Sequence, residues 1–530
     1  MLQNESQDIE AATATLQAQP DSKTRRYDRQ LRLWAASGQA ALEAARILVT
    51  SGSATSTSVL KNLVLPGIGH FTILDASTTA PADAGNNFFL NADASIGKPR
   101  AAEAVPLLRE LNDSVDGVAD VRDLAALLDT PEGRQFVAGF SLVIAHNLPK
   151  TTVEKLADLL WQDPLYPPLM VVRSAGFLAD FYIQFHEHCV IESHSETAPA
   201  LRLTKPFPAL QAWADSTDYD TLDPTEHAHI PFVIILIKEA DKWRAEHNGA
   251  LPKAYAEQKA FKAAVLARQK KLDEENFEEA EAQAVRLWTE KGVPSDVQAL
   301  LDLPALAPDA SPNVAFHALL QTLRAFVSDP AGPGTLPLTA TLPDMKTDTE
   351  SYVRLQWQYK EQARVENVRF KELLRATHPD VSIDDALADA FVKNAHHIKL
   401  LRGRPFGAFA RDAAALASAL DMAPKETLTH LGLNALSAVL ERSAEVTPEA
   451  LTAEIQAAVG AGVVLPEDEL ENVVEELARA PTADLPNTAA FLGGMLAQEA
   501  IKMVTKQYVP VNGYCVVDLI GSTTGVVGAV

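Results

Sequence analysis

The stretch Thr50–Thr57, TSGSATST, decides how this chain is read. It follows the apolar run ARILV (Ala45–Val49) and precedes SVLKNLVLPGIGHFTILD (Ser58–Asp75). The layout is an apolar strand, a short loop of small residues, a helix opened by Ser/Thr capping candidates and stopped at Pro66-Gly67, and a second apolar strand ending in an acid. Nucleotide-binding βαβ units are laid out in this way. Such a unit needs one glycine for the tight turn, a second so that phosphate can approach the backbone, and a third for helix packing. Here Gly52 stands alone, and Ser53, Ala54, Thr55 and Ser56 narrow the space beside the helix N-terminus. The loop is either a nucleotide site or the remains of one. Asp75 ends the second strand, where a ribose-binding acid or an ordinary solvated loop carboxylate belongs.

Working outward, the alternation continues. Tyr27–Ala45 reads as a helix, with Leu31, Trp34, Leu42 and Ala45 at helical spacing. Ser95–Asn112 reads as a helix opening with Gly-Lys-Pro, Phe140–Asn147 as a buried strand, Thr152–Trp161 as a helix, and PLMVVRSAG as a further strand. Strands alternating with helices predict a parallel α/β sheet. After about Ala175 the pattern changes. FLADFYIQFHEHCVIES alternates as a sheet does, and from Ile230 to about Leu300 the chain is helical and charged. Ser328–Asp344 is rich in Pro and Gly, and helical text then runs to about Ala480. Asn487–Lys506 gives a helix with a small-residue face, and YCVVDLIG a final strand.

At 530 residues, two or three domains are expected. A composition 47% hydrophobic and 22% charged suits a globular protein with a sizeable core. The formal net charge of -24 argues against nucleic acid and anionic membranes as partners. The longest apolar runs, such as Phe232–Ile237, are too short to span a bilayer. Residues 1–24 read as a flexible polar tail without a secretory h-region. Two cysteines, Cys189 and Cys515, exclude a disulfide framework and a Cys-rich zinc site, and suit a reducing intracellular setting. His186, His188, Cys189 and His194 tempt a metal assignment, but a strand puts His186 and His188 on one face and Cys189 on the other, so no metal site is expected. No Gly-x-Ser-x-Gly or Walker A sequence is present. Lys98, in GKPR, is positioned for an anion or for solvent. Arg29 is open to two readings, a surface ion pair or a planar, always-charged phosphate ligand.

RYDRQLRLWAASGQAALEAARILV together with NLVLPGIGHFTILD strongly resembles the activating enzymes of ubiquitin-like proteins, which share an adenylation domain with bacterial sulfur-carrier adenylyltransferases. DAGNNFFLNADASIGKPRAAEA, VIESH, LRLTKPFPAL, HIPFVIILIK, LPKAYAEQKAF, ENFEEA, LPDMKTDTESYVRLQ and AAFLGGMLAQEAIKMVTKQYVPVNG narrow the resemblance to the regulatory subunits of the heterodimeric enzymes that activate the neddylation modifier. It runs from about Tyr27 to the C-terminus and is weakest after about Asp380. The resemblance implies a Rossmann-like adenylation domain over residues 25–175 and 486–530. Residues 176–485 are then a large, mainly helical insertion that resembles a catalytic-cysteine domain lacking its cysteine.

The resemblance further implies that this chain binds no cofactor, and that ATP and magnesium sit in a catalytic partner subunit of an obligate heterodimer. A Nedd/Rub-type ubiquitin-like modifier is the protein activated, a conjugating enzyme is served indirectly, and the setting is cytoplasmic and nuclear. Against the pattern of an active half, the glycine loop is SGSATST. An Asn-Arg-Gln-Phe element is NNFF, with Asn87 in place of arginine and Phe88 in place of glutamine. A magnesium-holding Asp-Asn pair is His146-Asn147. Gly52, Asp75, Asn87, Lys98 and His146 are thus degenerate positions. The resemblance sends Arg29 of YDRQLRLW across the dimer to the partner's ATP phosphates, where a guanidinium offers parallel donors to charge spread over oxygens. Tyr27, Asp28 and Gln30 then orient it, and Leu31 and Trp34 pack in the core or at the dimer interface. Two alternatives stand beside this reading. One is the equivalent subunit of the SUMO-activating enzyme, disfavoured by the size of the insertion. The other is a non-catalytic adaptor on a dead nucleotide fold, disfavoured by Arg29.

Overall fold

The computed structural model describes residues 22–194, 199–271, 274–289, 292–304, 313–330, 332–442, 445–460 and 462–529. The tail expected over 1–24 lies outside them up to residue 21, and Ser22 already begins a helix. The chain falls into two units, one comprising the residues up to His188 and from Leu401 onward, the other Cys189–Leu400. Its principal helices are α1 (Ser22–Ala44), α2 (Ala54–Val64), α3 (Arg100–Arg109), α4 (Lys150–Trp161), α5 (Phe232–Glu246), α6 (Val314–Ser328), α7 (Thr349–Thr377), α8 (Pro424–Glu441), α9 (Pro448–Val459) and α10 (Pro486–Thr505).

The strands are β1 (Arg46–Val49), β2 (His70–Leu74), β3 (Asp116–Asp120), β4 (Leu142–His146), β5 (Leu169–Ala175), β6 (Leu178–Gln184), β7 (Glu187–Val190), β8 (Lys399–Arg402), β9 (Tyr514–Asp518) and β10 (Thr523–Val527). Eight of them form one sheet in the order β10-β9-β6-β5-β4-β1-β2-β3, and β7 pairs with β8. Strands β1 to β5 pair in parallel, as the alternation predicts, and β6, β9 and β10 are added by antiparallel pairing.

Both faces of this sheet are covered. Consecutive strand residues point to opposite sides, so Ile47 and Val49 pack with Leu60, Leu63, Leu492 and Leu496 of α2 and α10, whereas Leu48 packs with Val153, Leu156 and Leu160 on the α4 side. Burial on two faces explains why the central strands read as unbroken apolar runs. Strands β3 and β10 have no counterpart in the sequence reading. They are the two edges of the sheet, each half exposed, and Gly117 and Gly525 interrupt whatever apolar signal remains.

The sheet does not stop at Ala175. Gly176, at φ +59, turns the chain so that β6 pairs along the whole of β5. Leu428, Leu431 and Leu436 of α8 then cover Tyr182, Tyr514 and Val516. The first unit therefore takes in 177–188 and 401–485, which the resemblance assigned to the insertion. The second unit is mainly helical. Phe232, Val233, Ile234, Ile235, Leu236 and Ile237 are all buried, so α5 is a helix surrounded on all sides. No helix among the described residues is long and apolar enough to cross a membrane.

Candidate functional site

The loop Thr50–Ser53 leaves the C-terminal end of β1, and β1 lies between β2 and β4, where the strand order reverses. This is the place at which open α/β sheets bind ligands. Ser53 caps α2 in the expected way, with its Oγ accepting the Ser56 N–H at 3.1 Å. The path of a nucleotide site is present, but the chain itself fills it. The Thr55 N–H, at the second position of α2, donates to Asp484 Oδ2 at 3.2 Å, and Thr55 Oγ1 donates to Oδ1 at 2.6 Å. A carboxylate of this protein thus takes the position in which a helix N-terminus holds a phosphate.

The other degenerate positions are equally occupied. Asn87 is buried; its Nδ2 donates to the Gly52 carbonyl at 2.9 Å, and its Oδ1 accepts from Thr57 Oγ1 and the Phe89 N–H, each at 2.9 Å. Where an active half carries a cation, this amide ties the loop to α2. His146 Nδ1 lies 2.8 Å from Ser53 Oγ, and Nε2 lies 2.9 Å from Ser174 Oγ. Burial pushes the pKa of His146 down, so the ring is neutral where the pattern has a metal-holding carboxylate.

Asp75 accepts the Gly52 N–H at 2.6 Å, Arg100 Nε at 2.7 Å and the Ser77 N–H at 2.9 Å. Arg100 is held in turn by Asp83 at 2.9 Å. The carboxylate is buried and engaged on both oxygens. Gly52 is needed for this packing, since a Cβ there would lie 3.1 Å from Arg100 Cγ and 3.2 Å from Asp75 Oδ2. Lys98 stays apart. It precedes α3, which starts at Arg100, and its half-exposed ammonium is 3.7 Å from Glu103.

The first helix is arranged differently. Tyr27 is buried and its Oη accepts from Asn112 Nδ2 at 3.0 Å; Arg26 reaches Asn112 Oδ1 at 2.8 Å and Asp113 at 2.9 Å. Asp28 pairs with Arg32 one turn along, at 2.9 Å. Gln30 Oε1 is buried without a partner among the described residues. Trp34 belongs to the core, with Nε1 donating to Gln39 at 3.2 Å, while Leu31 is half-buried and Leu33 exposed. The helix is broken at Trp34 and Ala35, the latter at φ 55. Arg29 is exposed and has neither a hydrogen bond nor an ion pair among the described residues.

The histidine-rich stretch does not converge. His186 lies flat on Trp161, ring centroids 3.8 Å apart, and His188 is buried with its pKa pushed down to about 4 by desolvation. Among the described residues no three His, Cys, Asp or Glu side chains are grouped to hold a metal ion. Asp484, Arg100 and Ser174 are the residues that sequence reasoning missed. Arg100 lay inside GKPR, but Asp484 is 429 positions from Thr55, and no local pattern joins them.

Fold and corner together define a class, a Rossmann-like adenylation fold whose nucleotide loop is tied down by hydrogen bonds from its own side chains. No family model matches the chain. It is 36% identical over 518 residues to the NEDD8-activating enzyme E1 regulatory subunit of Xenopus laevis, covering 92% of this chain and 96% of that one. Proteins of the same name from Danio rerio, at 34% identity, and Drosophila melanogaster, at 32%, cover 93% and 92% of it, and 96% and 94% of their own lengths. The chain belongs to the family of NEDD8-activating enzyme E1 regulatory subunits. These names carry NEDD8, and the SUMO alternative is not favoured.

Proposed function

We propose that this chain is the non-catalytic subunit of an obligate heterodimer that activates a NEDD8-type modifier, in a cytoplasmic and nuclear setting. A catalytic partner holds ATP and magnesium, and this chain binds neither. The modifier's C-terminal carboxylate attacks the α-phosphate of ATP and pyrophosphate leaves; a deprotonated cysteine of the partner then attacks the acyl-adenylate carbonyl, expelling AMP and forming a thioester. A conjugating enzyme receives it afterwards. Arg29 reaches the partner's ATP phosphates and steadies the charge that grows on the departing pyrophosphate.

One contrast supports this reading. The helix N-terminus that would serve a phosphate in this chain is occupied by Asp484, whereas Arg29 is exposed and unpaired among the described residues. ATP–pyrophosphate exchange tests it. The isolated chain is expected to give none, and the chain with its catalytic partner and modifier to give exchange that collapses in Arg29→Ala with assembly unchanged. Exchange by the isolated chain overturns the proposal, and full activity of the Arg29→Ala complex favours an adaptor instead.

A further inference from the structure

On the α4 and α8 side of the sheet, away from the nucleotide loop, the first unit holds a cavity of about 330 Å³. That is near the lower end of the range for small-molecule sites, about 300–1,000 Å³. Ala145 and Val171 of the sheet line it, with Val153 of α4, Leu431 and Ala435 of α8, and Phe406. These walls are apolar. Arg173, Tyr514, Asn434 and Ser437 contribute the polar atoms within, and Lys150, Glu154, Arg411 and Glu454 also border the cavity.

The hydrogen bonds inside leave two donors over. Arg173 is buried and faces Asp180, its cross-strand neighbour on β6. Its Nε donates to Asp180 Oδ1 at 2.9 Å, Nη2 pairs with Oδ2 and lies 3.2 Å from His430 Nδ1, and Nη1 donates to Asn434 Oδ1. Nη1 carries two hydrogens, so one N–H remains. Tyr514 Oη accepts the Gly407 N–H at 3.1 Å, and its own proton has no acceptor among the described residues. Ser437 gives its proton to the Leu433 carbonyl at 3.0 Å, and Asn434 Nδ2 is taken by His430 at 3.0 Å. An amine or a metal cation entering this space meets surplus donors. An anionic oxygen meets two.

The charges at the border are mixed. Lys150 and Arg411 are exposed and neither has an ion pair among the described residues. Glu454 is held by Arg442 at 2.7 Å. Two carboxylates oppose them, Glu154 at the border and Glu441, which accepts from Thr151 at 2.5 and 2.9 Å and feels the charge of Lys150. In a chain of net charge -24 the entrance is thus balanced rather than acidic.

The geometry points to a binding site for a small organic acid, a monocarboxylate with a compact apolar body, whose carboxylate meets Arg173 Nη1 and Tyr514 Oη while the body lies against Val171, Leu431 and Ala435. The inference does not rest on the proposed function. Benzoate is the probe, with benzyl alcohol and benzylamine as ring-matched controls, titrated into the full chain and read by saturation-transfer NMR and thermal unfolding. Benzoate is expected to bind saturably and raise the unfolding temperature, with both controls weaker by about tenfold or more. Ala438→Phe, which fills the cavity, is expected to abolish binding. The double variant Lys150→Glu, Arg411→Glu changes only exposed side chains, and is expected to weaken benzoate by about threefold or more at low salt. It decides the matter should Ala438→Phe fail to fold. No saturable benzoate binding, equal binding of benzyl alcohol, or benzoate affinity unchanged in either variant overturns the assignment.

Discussion

The nucleotide corner and the first half of α1 are both polar helix ends on the same unit, and they treat their polar groups in opposite ways. In the corner the side chains are largely answered from within the chain, although Thr50 Oγ1 is buried without a partner among the described residues. Asp484 takes the Thr55 N–H, Asp75 takes Gly52 and Arg100, Asn87 joins the loop to α2, and His146 bridges Ser53 and Ser174. In α1 the anchoring residues are answered, Tyr27 and Arg26 by Asn112 and Asp28 by Arg32, but Arg29 is not. Side chains committed to internal hydrogen bonds are not free to hold a ligand. A cation held on a clamped helix with no partner of its own remains available to another molecule.

The comparison breaks most visibly at Arg29. In the complex with the catalytic subunit, Arg29→Ala is expected to lower ATP–pyrophosphate exchange by about 10²–10³-fold, with dimer mass unchanged by light scattering. Arg29→Lys recovers only part, because a point charge cannot replace a planar fork of donors. On the corner's side, the sensitive point is the packing of α10 on α2. A Cβ on Gly493 would lie 2.2 Å from Ser58 Oγ, so Gly493→Ala is expected to cost about 1–3 kcal/mol, seen as a lower urea midpoint at unchanged slope. Asp484→Ala leaves the Thr55 N–H unanswered and is expected to cost about 1 kcal/mol. No ATP-dependent shift in melting temperature should appear, since Asn87, Asp75 and His146 still close the loop. Saturable ATP binding by that variant would show that Asp484 alone held the corner shut.

A pH profile sharpens the contrast further. Burial lowers the pKa of His146 in the folded protein, so below its unfolded value, about 6.5, the unfolded chain binds the proton more readily. The stability associated with neutral His146 is therefore present above that pH and lost as pH falls towards the folded pKa. His146→Gln is expected to flatten the loss of stability measured by urea titration from pH 7 to 5. The flattening is partial, because His188, at about 4, titrates with the same sign in the same window. Arg29→Ala leaves that profile unaltered.

Much of this was legible in the sequence, and the rest was hidden for physical reasons. The central strands are apolar on two faces and announce themselves, as do a Ser/Thr-capped helix start and the loss of loop glycines, although only the structure singles out Ser53 as the capping hydroxyl. The edge strands β3 and β10 satisfy only one side and look like loops. The break at Trp34 and Ala35 comes just before Ser37-Gly38, a pair that weakens a helix but that the sequence reading passes over; a Cβ on Gly38 would lie 2.8 Å from Trp34 Cβ, and Gln507 Nε2 donates to the Trp34 carbonyl at 3.0 Å. Asp75 could be placed at a strand end but not matched with Arg100, and Asp484 could not be placed at all, because helix-terminus chemistry supplied from far along the chain leaves no spacing to read.

That distance also sets a timetable. Leu60 and Leu63 of α2 are covered by Leu492 and Leu496 of α10, and Thr55 waits for Asp484, 429 residues later. The equilibrium cost of closing so long a loop grows only logarithmically. Synthesis, however, proceeds at about 5–20 residues per second, so a nascent chain carries an uncovered apolar face for roughly 20 to 90 s before its cover exists. The first domain to leave the ribosome is thus the last to be finished. A product cut short before α10 has no means of closing that face, so the last helix is the step that completes the first domain.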